Sequence, residues 1–293
     1  MKIVLGVDDA MRARQTADLL QALRFQGPAV DVVHVLDGRS ESIYPVERHR
    51  PDLIVQYLKM QEDNANEMLA TTSTELKRRD FADVSSHLLM GYLSNKLLDY
   101  CAETSADVLA VASSDKGPIE GVLIGSVTRK AVISAPCSVL ISKRPVESVR
   151  PLNVVLATDH SPYANKCIDA FIRWAPRGIG KLTVVTVFPE QIVKAMTFVV
   201  ENFKADVGNW VRSELERTNQ DVLGRLAPLG AAGKSRVEAG FVVESLDRVM
   251  KEESADLLVL GAQGHGFVDR LTLGSVSLDF AVKKPHSVLV IRT

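Results

Sequence analysis

The chain has 293 residues, is 46% hydrophobic and carries a formal net charge of −1. That length supports one large domain or two ordinary ones with sizeable cores, and the balanced charge argues against nucleic-acid and membrane-surface partners. Cys101, Cys137 and Cys167 give neither a disulfide framework nor a zinc spacing, and with no leader-like start and no apolar run of the ~20 residues a bilayer needs, the expectation is a cytoplasmic protein without membrane contact.

Taken in chain order, "KIVLGVDDA" (Lys2 to Ala10) predicts a strand at Ile3–Val7 that runs into the acids Asp8 and Asp9. A second strand follows at Val30–Val35, overlapping "DVVHVLD" (Asp31 to Asp37); His34 there reads as a core or rim residue. The basic "VERHRP" (Val46 to Pro51) reads as a solvated loop ahead of a helix over Asp52–Arg79, with Leu53, Val55, Leu58, Met60, Met68, Leu69 and Leu76 as its apolar residues. Strands at Val108–Val111 and Ser138–Ile141 complete the first half, and Cys137 reads as inert packing. None of these runs alternates strictly with polar residues, the pattern of strands buried on both faces.

A polar seam, "KRPVESVRP" (Lys143 to Pro151), comes next, and then the pattern starts again. "NVVLATDHS" (Asn153 to Ser161) matches the first strand, and "LTVVTVFP" (Leu182 to Pro189) the second, with Thr186 read, like His34, as core or rim. Helical segments are predicted in Ser213–Leu226 and Glu244–Ser254. "SADVLAVASSDKGPIEGVLIGSV" and "SADLLVLGAQGHGFVDRLTLGSV" align without a gap at an offset of 149 residues, carrying Ser105 onto Ser254. The same offset carries Gly91 onto Gly240 and "PCSVLI" onto "PHSVLV". A period this long marks a duplicated domain rather than a solenoid. Alternating strands and helices within each copy predict an α/β domain with a mostly parallel sheet, whose ligands sit at the carboxyl ends of the strands.

The chemistry concentrates in "GAQGHGFVDRLTLGSV" (Gly261 to Val276). It lacks the lysine of a Walker loop, and Asp269 stands where a dinucleotide fingerprint needs its third glycine. What remains is an anion cradle. Gly261 ends a strand and would let a ligand pass close to the backbone. Gly264 and Gly266 would take positive φ and turn N–H groups inward as a nest. Gly274-Ser275 opens a helix whose N-terminus favours anions, with Ser275 as a cap and a donor. His265 reads as a solvent-facing residue ahead of a phosphate contact, since the first copy has Lys116 in its place. Asp159 fits either a helix-capping or a ligand role, and His160 reads as a surface residue. No acid pair, Cys/His set or Ser/His/Asp set stands out, and Asp269 and Arg270 alone do not make a phosphoryl-transfer site.

The spacing Gly261-x-x-Gly264-(nine residues)-Gly274-Ser275, together with "TDHS" and "PHSVLVI", resembles the nucleotide loop and strands of the universal stress protein family. The resemblance covers nearly the whole chain as two copies, with domains at 1–146 and 151–293. It implies two tandem Rossmann-like α/β domains, each a five-stranded parallel sheet with flanking helices, pairing through Ser138–Ile141 and Ser287–Ile291 as an intramolecular pseudo-dimer. By the same resemblance Asp159, Val187 and Ala157 hold adenine and its ribose side. Gly261, Gln263, Gly264, Gly274, Ser275 and Val276 hold ribose and phosphates, with Leu260, Gly266 and Ser277 completing the set, and ATP arrives with Mg²⁺. No metal site of the protein's own is expected.

The first copy departs from this. Asp8 and Val35 match the adenine positions, and Gly117, Gly125 and Ser126 persist, but Ala112 replaces Gly261 and Asp115 replaces Gly264. A methyl at 112 and a carboxylate at 115, where phosphate would lie, predict a degenerate site. The expected function is an ATP-binding stress-response regulator that works as a nucleotide-dependent binding module. A slow ATPase or a phosphoryl or nucleotidyl transferase is one alternative; a scaffold with a structural nucleotide is the other. Protein partners and further homo-oligomerisation are left open.

Overall fold

Short runs of Val, Ile and Leu form the strands, and caps set the helix ends. In the computed structural model, which describes residues 1–36, 51–79, 81, 83–113, 125–147, 149–189, 207–264 and 273–293, the first half runs β1 (Lys2–Gly6), α1 (Ala10–Leu23), β2 (Ala29–Leu36), α2 (Pro51–Arg78), β3 (Asp83–Met90), α3 (Leu93–Glu103), β4 (Val108–Ala112), α4 (Ser126–Ser134) and β5 (Ser138–Ser142). The second runs β6 (Leu152–Ala157), α5 (Pro162–Trp174), β7 (Ile179–Phe188), α6 (Val207–Leu226), β8 (Ala232–Ala239), α7 (Val242–Glu252), β9 (Leu257–Gly261), α8 (Ser275–Val282) and β10 (Ser287–Ile291). The helix expected over Asp52–Arg79 is α2, shifted by one residue. Helices α6 and α7 begin before their predicted starts. Of the basic stretch Val46 to Pro51, residues 46–50 lie outside the described residues and Pro51 begins α2.

Asp9 caps α1, its carboxylate accepting from Arg12 N. Ser161 caps α5 by accepting from Ala164 N, with Pro162 pre-set at the first helical position. Both helices end on a left-handed residue, Arg24 at φ 50° and Ala175 at φ 47°.

The strands join in one ten-stranded sheet, ordered β3-β2-β1-β4-β5-β10-β9-β6-β7-β8. Every neighbouring pair is parallel except β5–β10, which run antiparallel with Leu140 opposite Leu289. Each half is therefore a five-stranded parallel sheet, and the pairing of the two last strands joins them about a pseudo-two-fold. Helices α1, α2, α5 and α6 cover one face, with Phe171 in their core. Helices α3, α4, α7 and α8 cover the other, around Phe280.

Further contacts tie the halves together. Phe25 meets Trp174 edge-on at 6.4 Å, and Gly178 N donates to Leu23 O at 3.0 Å. A Cβ on Gly178 would fall 1.6 Å from Ala22 O, so only glycine fits there. Among the described residues no helix is long and apolar enough to cross a membrane.

Candidate functional site

At the carboxyl ends of β6, β7 and β9, the second half opens a cavity of about 610 Å³. Strand order makes it: β1 and β4 in one half, β6 and β9 in the other, are where the order reverses, the crevice where open parallel sheets take ligands. The structure brings Ala157, Asp159, Val187, Leu260, Gly261, Gln263, Gly264, Gly274, Ser275, Val276 and Ser277 to its wall. Gly266, His265, Asp269 and Arg270 lie outside the described residues.

The backbone explains Val187. Strand β6 ends at Ala157, which pairs with Val185. Thr158 N donates to Val185 O, and Gly240 N donates to Phe188 O on the far side. Main-chain groups alternate sides along a strand, so the N–H and C=O of Val187 point to the β6 side, past the end of that strand. They present a donor beside an acceptor at the cavity wall, a pattern suited to the edge of a heterocyclic base.

Asp159 does not cap α5; Ser161 does. Asp159 Oδ1 accepts from Ser161 N at 3.0 Å, and its Oδ2 lies 3.2 Å from where a Cβ on Gly264 would sit. The carboxylate thus stands against the glycine segment. Gly274 closes the other side, its N donating to Ala262 O at 2.7 Å. Gly274 is also the N-cap of α8 and has no side chain to cap with, so the first-turn N–H groups and the positive end of the helix dipole face the cavity.

Three details correct the sequence reading. Gly264 does not take positive φ; what its missing Cβ provides is space beside Asp159, not conformation. Gly261 does not make room for ligand: its missing Cβ points at Cys167 Sγ and Tyr163 Cε1, each 3.3 Å away in α5. By strand alternation the methyl of its counterpart Ala112 falls on the same face as Ala110, the face that α1 covers. Ser275 is the first residue of α8 rather than its cap, and the hydroxyl of Ser277 donates to Gly261 O at 2.8 Å, as Thr128 does to Ala112 O in the first half. Ser277 therefore fastens helix to strand.

A polar chain that starts at the cavity wall and runs into the core is not marked in the sequence. His160, at φ 59°, meets Thr186 Oγ1 through Nε2 at 2.9 Å. Thr186 donates to Asn219 Oδ1 at 2.8 Å, and Asn219 Nδ2 donates to Arg236 O at 3.1 Å. The carbonyl at the end sets the polarity: Asn219 must donate to it, so Thr186 donates to Asn219 and His160 Nε2–H donates to Thr186. Thr186 and Asn219 are buried. Their sole sequence signal was polarity in otherwise apolar surroundings.

Nearby groups are poor nucleophiles. Burial pushes the Cys167 thiol up to about 12 and the Tyr163 hydroxyl to about 12.

The matching space in the first half is about 40 Å³. Asp8, Val35 and Ala112 line it, but Leu97 Cδ2 lies 3.0 Å from the point where a Cβ on Gly6 would sit, and the equivalent residue in the second half is Ala157. Leu97 has settled over the bare backbone. Asp8 is half exposed, 3.5 Å from Arg12 Nη1, and His34 Nδ1 holds Val7 O at 2.7 Å. Gly125 caps α4 and Ser126 begins it. Asp115, Lys116 and Gly117 lie outside the described residues.

Comparison with known proteins gives the same two units. The sequence model of the universal stress protein family matches residues 1–143 and again 152–292. "Universal stress protein YxiE" of Bacillus subtilis is 24% identical over 144 residues, 47% of this chain and 97% of that protein. Among solved structures, a universal stress protein from Archaeoglobus fulgidus superposes with a TM-score of 0.67 at 17% identity, covering 99% of this chain and 98% of its own. A universal stress protein from the same organism in complex with dAMP is 23% identical, with a TM-score of 0.34 over 48% of this chain and 96% of that one.

Proposed function

The chain belongs to the universal stress protein family, and we propose that its second half, residues 151–293, binds ATP while its first, residues 1–146, does not. The observation that carries this is the contrast between halves: a cavity of about 610 Å³ in one and about 40 Å³ in the other. The first volume lies within the range of small-molecule sites, roughly 300–1,000 Å³; the second has room for little more than water.

The contents of the cavity support the assignment. Val187 offers a base-reading amide pair, Asp159 a carboxylate at the sugar side, and Gly264 with Gly274, Ser275 and Val276 a cradle at a helix N-terminus for phosphates. Gln263 and Leu260 complete the wall. Mg²⁺ would arrive on the phosphates, as it commonly binds through substrate phosphates and waters. The protein then acts in the cytoplasm as a stress-response module whose partners read its nucleotide state.

Calorimetry of the full chain, freed of co-purified nucleotide, tests this. One ATP per chain is expected, with binding lost in Asp159→Asn and kept in Asp8→Asn. Two per chain, or loss in Asp8→Asn, overturns the assignment to the second half. ATP turnover above ~1 per second, the low end of ordinary enzyme rates, would replace the binding-module reading with an enzymatic one.

A further inference from the structure

Helix α8 has eight residues, so it is about 12 Å long, and whatever holds its C-terminus also sets its N-terminus. The last carbonyls of a helix have no partners within it. Here Lys143, from the first half, supplies one: its Nζ donates to Phe280 O and Lys284 O, both at 2.6 Å. The Lys143 backbone is fixed in turn, its N donating to Ser287 Oγ at 3.0 Å. The opposite side of the seam repeats the arrangement. Arg292 donates through Nη2 to Val132 O at 2.7 Å and Ile133 O at 3.0 Å, at the end of α4. Its N donates to Ser138 Oγ at 3.0 Å.

Each half thus grips the last helix of the other with a cation. For α4 the far end faces a closed site. For α8 it faces the large cavity, where Gly274, Ser275 and Val276 line the wall. We propose that Lys143 is a positioning residue for the phosphate end of that cavity: the first half, without a usable site of its own, completes the site of the second. This rests on the reading of the cavity as a nucleotide site. The cation opposes the negative end of the α8 dipole and holds the helix along its axis, so that its N-terminal N–H groups stay aimed at the phosphates. Its effect should fall on phosphate recognition and spare the base.

The test is calorimetry with ATP and with adenosine on the full chain. The variants are Lys143→Met, Lys143→Gln and Lys143→Arg, with Arg292→Met as the mirror control, and thermal melts verify folding. Lys143→Met should weaken ATP by about fivefold, the scale of a 1 kcal/mol helix-end interaction, and leave adenosine unchanged. Lys143→Gln should fall between, Lys143→Arg should restore ATP binding, and Arg292→Met should leave the ATP-to-adenosine ratio alone. A ratio unaltered in Lys143→Met and Lys143→Gln, or lowered equally in Arg292→Met, overturns the proposal. Wild-type protein that binds neither ligand overturns the nucleotide reading itself, and this assignment with it.

Discussion

Replacing Gly264 by aspartate gives the second half the residue that the repeat alignment places at Asp115 in the first. A Cβ at 264 lies 3.2 Å from Asp159 Oδ2, so the new carboxylate would stand on the order of 4 Å from Asp159 and from any phosphate in the cradle. Two unit charges at that distance repel by about 4 kcal/mol at an effective dielectric of 20. Rotation toward solvent and partial protonation reduce this, leaving roughly 2–4 kcal/mol, or about 30- to 1,000-fold in Kd. Gly264→Asn has nearly the same size without the charge, and Gly264→Ala adds one methyl that requires Asp159 to move by a few tenths of an ångström. ATP titration calorimetry at fixed salt should rank the losses Asp well above Asn, and Asn above Ala. Unchanged affinity in Gly264→Asp would mean that nucleotide sits elsewhere. Equal losses for Asp and Asn would refute the electrostatic reasoning and leave a steric one.

Thr186→Val removes the hydroxyl that links His160 to Asn219; leaving a buried amide oxygen unsatisfied should cost about 1–3 kcal/mol in urea unfolding, and a loss under about 0.5 kcal/mol would contradict the network. His286 is buried, with Nε2 2.7 Å from Asp247 Oδ1, and burial holds its pKa below the ordinary 6.5. The unfolded chain therefore takes up a proton first, and stability should fall as pH drops below about 6.5. Asp247, held low against the desolvation of its site by Lys251 and His286, adds a second loss only as pH falls below its ordinary 3.8. His286→Leu should flatten the urea midpoint between pH 5 and 7, and an unaltered slope there would exclude His286 as its source.

What could be read in the residues was set by how locally each feature is encoded. The strands β1, β2, β4 and β5 and their copies are aliphatic runs, and the duplication is visible because both copies kept them. Edge strands β3 ("DVSSHLLM") and β8 ("AGKSRVEA") have no such run: each has one neighbour and a wetter face, so burial does not write an apolar pattern into them. Gly264 and Gly274 stood out by spacing, yet their reason is steric contact with Asp159 and Ala262, which only the folded chain reveals. The same holds for Gly261, whose missing side chain serves α5. His160, Thr186 and Asn219 are separated by 26 and 33 residues, and nothing local marks them as partners. In the sequence Lys143 is one residue of a polar seam; that it reaches a carbonyl 137 residues away depends on the antiparallel pairing of β5 with β10.

That pairing also separates assembly from abundance. Strands held together only by association between separate chains part on dilution. Here the segment from Lys143 to Pro151 tethers the partners, and a short tether of this kind keeps an effective concentration on the order of millimolar however little protein is present. A tethered seam is also encoded once on each side. A substitution made in one half is not mirrored in the other, as Cys137 and His286, or Lys143 and Arg292, already show at equivalent places. One half is therefore free to lose its cavity and keep only the residues its neighbour leans on, a division of labour closed to two identical subunits.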